Sequence, residues 1–241
     1  QMCIRDRDVI QTSTAGHPGA FIAETIQGNA GIVVPPKGYF QRVKEILAAH
    51  GTLLVIDEVQ TGFARTGKLF AIEHFGVTPD IMAMAKALGN GAPISAFIST
   101  AEIADTYTRP GASTLGGTPV STAAGLAVLD YIEKHDLCKN AAERGEQLRA
   151  GLREIQKKHP IIGDIGGLGL MTGAEFVHAD KSPAAAELDD VLETLKDRGF
   201  IIGKNGIARN VMAFQPPLVI TAEDIDNVLN ALEMVLTEKK L

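Results

Sequence analysis

Apolar runs of strand length alternate along the first half of this chain with longer stretches of helical period. Residues 20–26 (AFIAETI) read as a buried strand, and the turn-rich GNAGIVVPPKGY follows. A helix over roughly 40–49 carries Val43, Ile46 and Leu47 on one face. TLLVIDEV (52–59) predicts a second strand, DIMAMA (80–85) a third and ISAFIS (94–99) a fourth. None of these runs alternates with polar residues, which is the mark of parallel strands covered on both faces. The first half is therefore expected to be α/β, with a mainly parallel sheet under helices.

Beyond Pro119 the texture changes. STAAGLAVLDYIEKHD predicts a long helix rich in small residues, and a second follows with Leu148, Leu152 and Ile155 at helical spacing, ending near Pro160. GDIGGLGLMTGAEFV alternates and is dense in glycine, as in an antiparallel hairpin. A helix over 185–198, strands at 200–203 and 210–215, and a last helix after Thr221 complete a small α+β unit. Thr221, with Glu223 and Asp224 behind it, has the form of an N-cap followed by an acidic first turn. The expected division is a large unit over 8–136 and a small C-terminal unit over 137–241.

The chain has 241 residues and a net charge of -6, which argues against nucleic acid as a partner. No apolar run reaches bilayer length and no cleaved leader is recognisable, so a cytoplasmic protein with no membrane association is expected. Two cysteines, Cys3 and Cys138, sit in no ligand-like spacing; neither a disulfide framework nor a metal site is expected. Residues 1–7 (QMCIRDR) lack periodicity, resemble a translated sequencing-adaptor tail and read as a non-native appendage. On that reading the natural protein continues upstream, and this chain is its C-terminal part.

Two constellations carry candidate chemistry. GFARTGKL (62–69) is close to the phosphate loop of an ATPase, with LLVIDE before it as a metal-holding strand. A phosphate loop needs Ser or Thr after Gly-Lys to bind magnesium, and Leu69 stands there. The order is also reversed, since that loop should precede the metal-binding strand. The second constellation is Asp57 at the end of one expected strand and Lys86 at the end of the next. In an open parallel sheet such ends face a common crevice. A lysine able to form a Schiff base, together with an acid able to keep a pyridine nitrogen protonated, points to pyridoxal 5′-phosphate. Gly89 and Gly91, after the lysine, would let backbone approach a bulky cofactor.

VIDEVQTGFARTG, then PDIMAMAKALGNGAPISA, then STLGGTPVSTAAGLAVLD together resemble the class III pyridoxal-phosphate aminotransferases of fold type I, in the branch that includes alanine–glyoxylate aminotransferases. The resemblance runs from about residue 20 to the C-terminus and implies that 8–136 is the C-terminal part of the large cofactor-binding domain. It implies that Lys86 carries the cofactor and moves the substrate proton. Asp57 would hold the ring nitrogen, Gln60 would donate to the phenolic oxygen, and Thr114 would reach the cofactor phosphate from a second subunit. That last role implies a homodimer with shared sites. Glu24 matches an acidic position near the cofactor, and a paired structural carboxylate is an equal reading of it. His17 and His74 have no motif around them. The implied reaction moves an amino group from a small amine or amino acid to a 2-oxo acid such as pyruvate or glyoxylate. Phospho-lyase, aminomutase and epimerase chemistry share the scaffold.

Three positions depart from the family pattern. Ala213 stands where an arginine commonly binds the substrate carboxylate, with Arg209 nearby as a substitute. Asn29 follows QG where relatives acting on ω-amino acids often have glutamate. Gly166 replaces an arginine found in many relatives. The family's upstream phosphate loop and ring-stacking aromatic are not found in these residues. The polypeptide alone is therefore expected to bind the cofactor poorly and to expose open sheet edges.

Overall fold

The computed structural model describes residues 2–241, which divide into two compact units. One takes in residues 2–25, Pro35–Phe63 and Lys68–His135, and the other Ile26–Val34, Ala64–Gly67 and Asp136–Leu241. Two short segments from the first half of the chain thus belong to the C-terminal unit, a crossing that the expected division at 136 does not contain.

The first unit opens with α1 (Met2–Ser13), so residues 2–7 of the supposed appendage are helical; Gln1 lies outside the described residues. Its sheet contains β1 (Ala20–Glu24), β2 (Leu53–Asp57), β3 (Ile81–Met84) and β4 (Ala96–Ser99), in that order. β1, β2 and β3 are parallel. Helix α2 (Tyr39–Ala49) buries Phe40, Val43, Ile46 and Leu47, an i, i+3, i+6, i+7 stripe. It stops because Gly51 adopts φ 64° and the Thr52 N–H donates back to Leu47 O, which satisfies an orphan carbonyl. Phe40 also meets Phe75 edge to face, with centroids 5.1 Å apart.

The fourth strand corrects an expectation: β4 runs antiparallel to β3. The connection over residues 85–95 holds only one 3-10 turn (Lys86–Leu88), too little chain to cross the sheet and return parallel. Nor is β4 covered, since Phe97 is 73% exposed. α3 (Ala101–Ala104) and α4 (Pro119–Lys134) finish the unit, the latter started by Pro119 at its first turn.

In the second unit, α5 (Leu137–Lys158), α6 (Ala185–Asp197) and α7 (Ala222–Lys239) share one apolar core with a sheet of order β5-β6-β8-β7. β5 (Ile162–Leu168) and β6 (Met171–Phe176) form the expected hairpin, with Leu168 opposite Met171 and Gly169 at φ 54° opening the two-residue turn. A Cβ on Gly145 of α5 would lie 1.9 Å from Gly169 O, so helix and turn approach as closely as two glycines permit. β7 is Gly203–Asn205 rather than 200–203. Residues 199–200 are spent in closing α6: Gly199 has φ 92°, and Phe200 N–H donates to Leu195 O while its ring packs on the core. β8 (Val211–Phe214) pairs with both β6 and β7. Thr221 caps α7 as expected, its hydroxyl accepting from Asp224 N–H at 3.1 Å while the Asp224 carboxylate accepts from Thr221 N–H at 3.0 Å. The Thr221 hydroxyl also donates to the Asp224 carboxylate at 2.6 Å, and this bond first, then the one from Thr221 N–H, holds the Asp224 carboxyl below its ordinary pKa.

Candidate active site

The parallel register brings the strand ends of the first unit level. Glu24, last in β1, pairs with Asp57, last in β2, and Asp57 pairs with Ala83 one residue before the end of β3. Lys86 follows just beyond, so an acid, a second acid and an amine stand at the same ends of three adjacent strands. Asp57 is half-buried, and its Oδ1 accepts from Val59 N–H at 2.8 Å, which anchors one carboxylate oxygen and the turn that follows. Gln60 is half-buried in that turn.

Lys86 is exposed, and among the described residues it enters no ion pair. Its backbone has φ 44°, a left-handed conformation that costs a side-chain-bearing residue energy and tends to persist at functional sites. The glycines behind it also have a local reason to be there. A Cβ on Gly89 would come 2.1 Å from Ala92 O, and Gly91 has φ 104°. Both are required by the tight turn that presents the lysine, whatever ligand approaches.

Thr114 comes from a different element, the exposed loop before α4. Its neighbours Ser113 and Leu115, with Ser95, Thr118 and Ser121, line a hollow of 390 Å³ at the N-terminal end of α4. GFARTGKL runs through turns into a five-residue 3-10 helix (Ala71–Phe75), so no α-helix N-terminus stands behind its lysine as a phosphate loop requires.

Two residues were not singled out in the sequence. Glu58 is fully buried and its carboxylate is surrounded by donors. The available signal was a second acid directly after Asp57, at the end of an apolar run. Arg65, in the second unit, donates from Nη1 to Leu170 O at 3.1 Å and Pro216 O at 2.5 Å, and burial pushes its pKa down to about 10. It clamps the 64–67 segment to the hairpin turn and to the chain just beyond β8.

The departures from pattern also have definite surroundings. Ala213 is buried in an apolar cluster with Ile26, Ile32 and Met171. Arg209 is exposed in the turn before β8, with φ 57°. A Cβ on Gly166 would meet only Ile32 O, at 3.8 Å, so space for a side chain is open there.

The donor set fits the cofactor inferred from sequence: an amine for an aldehyde, a carboxylate for a protonated ring nitrogen, and an amide for a phenolic oxygen, all carried by adjoining strand ends and turns. The chain matches the family described as Aminotransferase class-III over residues 1–236, and it belongs to that family. Class III aminotransferases are pyridoxal-phosphate enzymes. The family read from the three motif blocks is thus borne out. The chain is 44% identical over 235 residues to alanine–glyoxylate aminotransferase 2 homolog 2 of Arabidopsis thaliana, covering 96% of this chain and 49% of that protein. It is 46% identical over 222 residues to the leucine/methionine racemase of Thermococcus litoralis, covering 91% and 50% respectively. A crystal structure of a Bacillus anthracis aminotransferase superposes with a TM-score of 0.93 at 34% identity, over 99% of this chain and 56% of that one. The chain spans about half the length of the curated relatives it matches. Among the described residues, no helix is long and apolar enough to cross a membrane.

Proposed function

We propose that the full-length protein containing this chain is a transaminase that transfers an amino group from a small amine or amino acid to a 2-oxo acid such as pyruvate or glyoxylate. The observation that carries this reading is the level placement of Asp57 and the Lys86 turn at the ends of paired parallel strands. When bound, pyridoxal 5′-phosphate supplies an aldehyde that captures amines and a ring that accepts an electron pair. Lys86 Nζ would hold the cofactor covalently and, once displaced by the substrate amine, take and return the proton at the substrate's amino-bearing carbon. Asp57 would keep the ring nitrogen protonated, and Gln60 would donate to the phenolic oxygen. Glu24, level with Asp57, would add negative charge on the same side of the site. Thr114 would serve the cofactor phosphate of a second copy. A homodimer is supported by the exposed apolar residues of α4 and its leading loop, with Val120 77%, Leu126 65% and Leu115 78% exposed. A cytoplasmic location is part of the same proposal and rests on the sparse cysteines and the absence of a bilayer-length run in the sequence.

The full-length protein reconstituted with pyridoxal 5′-phosphate should show a lysine-linked absorbance in the near-visible, and Lys86→Ala should abolish it. Equal colour in that variant would overturn the assignment. The similarity to a racemase, as high as that to an aminotransferase, favours one second reading: inversion at the amino-bearing carbon. Interconversion of D- and L-amino acids without any 2-oxo acid would establish that reading, and strict dependence on a 2-oxo acid would exclude it.

A further inference from the structure

Glu58 takes no part in the chemistry proposed above, yet its carboxylate accepts four hydrogen bonds. Oε1 accepts from Thr25 Oγ1 at 3.1 Å and from Ile72 N–H at 2.8 Å. Oε2 accepts from Ala71 N–H at 3.1 Å and from the Thr61 hydroxyl. Its backbone is held as well: Glu58 N–H donates to Ala83 O at 2.9 Å, and Glu58 O accepts from Gly62 N–H at 2.9 Å. The side chain is 0% exposed.

Three of these partners are placed beside residues of the candidate site. Thr25 follows Glu24, Thr61 follows Gln60, and Ala83 is the register partner of Asp57 on the strand that leads to Lys86. Ala71 and Ile72 open the 3-10 helix that ends the loop after Gln60, so their N–H groups point their positive ends at the carboxylate. A buried charge is costly unless fully hydrogen-bonded, and a well-packed apolar residue would hold a simple core junction at least as well. An ionised group with four donors is suited instead to fixing several backbone segments at defined distances. We propose that Glu58 is a positioning residue for the pyridoxal-phosphate site. Its carboxylate locks the turn from 58 to 62, so that Asp57 and Gln60 meet the ring in one arrangement. This inference rests on the function proposed above.

Glu58→Gln is the informative change. The two backbone N–H groups lie on different oxygens, so an amide nitrogen in either place faces a donor, and one N–H loses its acceptor. Two measurements on the full-length protein test the idea. Without cofactor, hydrogen exchange at the Val59 amide, which is bonded to Asp57, should quicken at least tenfold, while the amides of Leu54 and Ile56 keep their protection. With cofactor, affinity should fall at least tenfold, and the pH midpoint of the near-visible absorbance should move from that of the wild type. A variant that merely melts earlier, with Val59 exchange, affinity and pH midpoint unchanged, would overturn the proposal. If Glu58→Gln does not fold, Thr61→Val removes one of the four donors and should shift the same readouts in the same direction by a smaller factor; no shift there is equally fatal. Wild-type protein that takes up no cofactor through Lys86 would sink the transaminase reading alone, and the exchange data would still decide whether Glu58 holds Asp57 in place.

Discussion

The two units use apolar side chains in opposite ways. In the C-terminal unit, α5, α6 and α7 close with β6 and β8 around one core in which Leu152, Phe176, Leu188, Leu232 and Val235 are fully buried. In the first unit the flanking strands β1 and β4 leave Ile22 70% and Phe97 73% exposed, and α4 buries only Ser121, Gly125 and Ile132. That core closes on itself, although Ile201 and Ile207 of the same unit are 91% and 95% exposed. Strand edges and a helix face that remain apolar call for a covering surface, and an uncovered one is an aggregation hazard. The candidate chemistry lies in the more open unit, where strand ends must stay accessible to a ligand.

The sharpest test of this contrast is Phe176→Ala. It should cost the C-terminal unit about 3–5 kcal/mol by leaving a cavity, read as a lower denaturant midpoint. A loss under about 1 kcal/mol would mean that this core is looser than its burial implies. Next in size is Thr221→Ala, which removes the reciprocal cap of α7 and should cost about 1 kcal/mol. Acid should shrink this difference without erasing it, because the hydroxyl's bond from Asp224 N–H does not depend on the carboxylate's charge. The Asp224 carboxyl is held below its ordinary pKa, so its contribution is present above the unfolded-state value and is lost as pH falls through the folded one. The smallest change in stability, within about 0.5 kcal/mol, is expected for Phe97→Lys. That substitution should nonetheless reduce aggregation of the 241-residue chain in light scattering. Unchanged aggregation would place the liability away from β4, with Ile22→Lys as the next probe.

Much of the fold was legible in sequence for local reasons. The stripe of α2, the Thr221 cap and the glycine-rich hairpin each depend on residues a few positions apart, and each formed where expected. Asp57 and Lys86 were legible for a related reason: each ends an apolar run, and parallel strands bring such ends to one side. Thr114 and Gln60 were reached only through resemblance to a family, because a threonine or glutamine in a loop carries no pattern of its own. Glu58 was passed over because its partners, Thr25, Ala71 and Ile72, are distant in sequence and none has a signature.

Taken alone, the order of residues determined most of the helices and strands, the apolar face of α2, the family the chain belongs to, and the placing of Asp57 and Lys86 at the ends of apolar runs. These follow from short-range periodicity, turn chemistry and motif spacing. Tertiary structure decided the direction of β4, the assignment of 26–34 and 64–67 to the C-terminal unit, the approach of Gly145 to Gly169, and the inward turn of Glu58. Apart from β4, whose direction follows from the short connection before it, these outcomes rest on residues far apart along the chain, and local pattern does not encode where a distant partner will arrive.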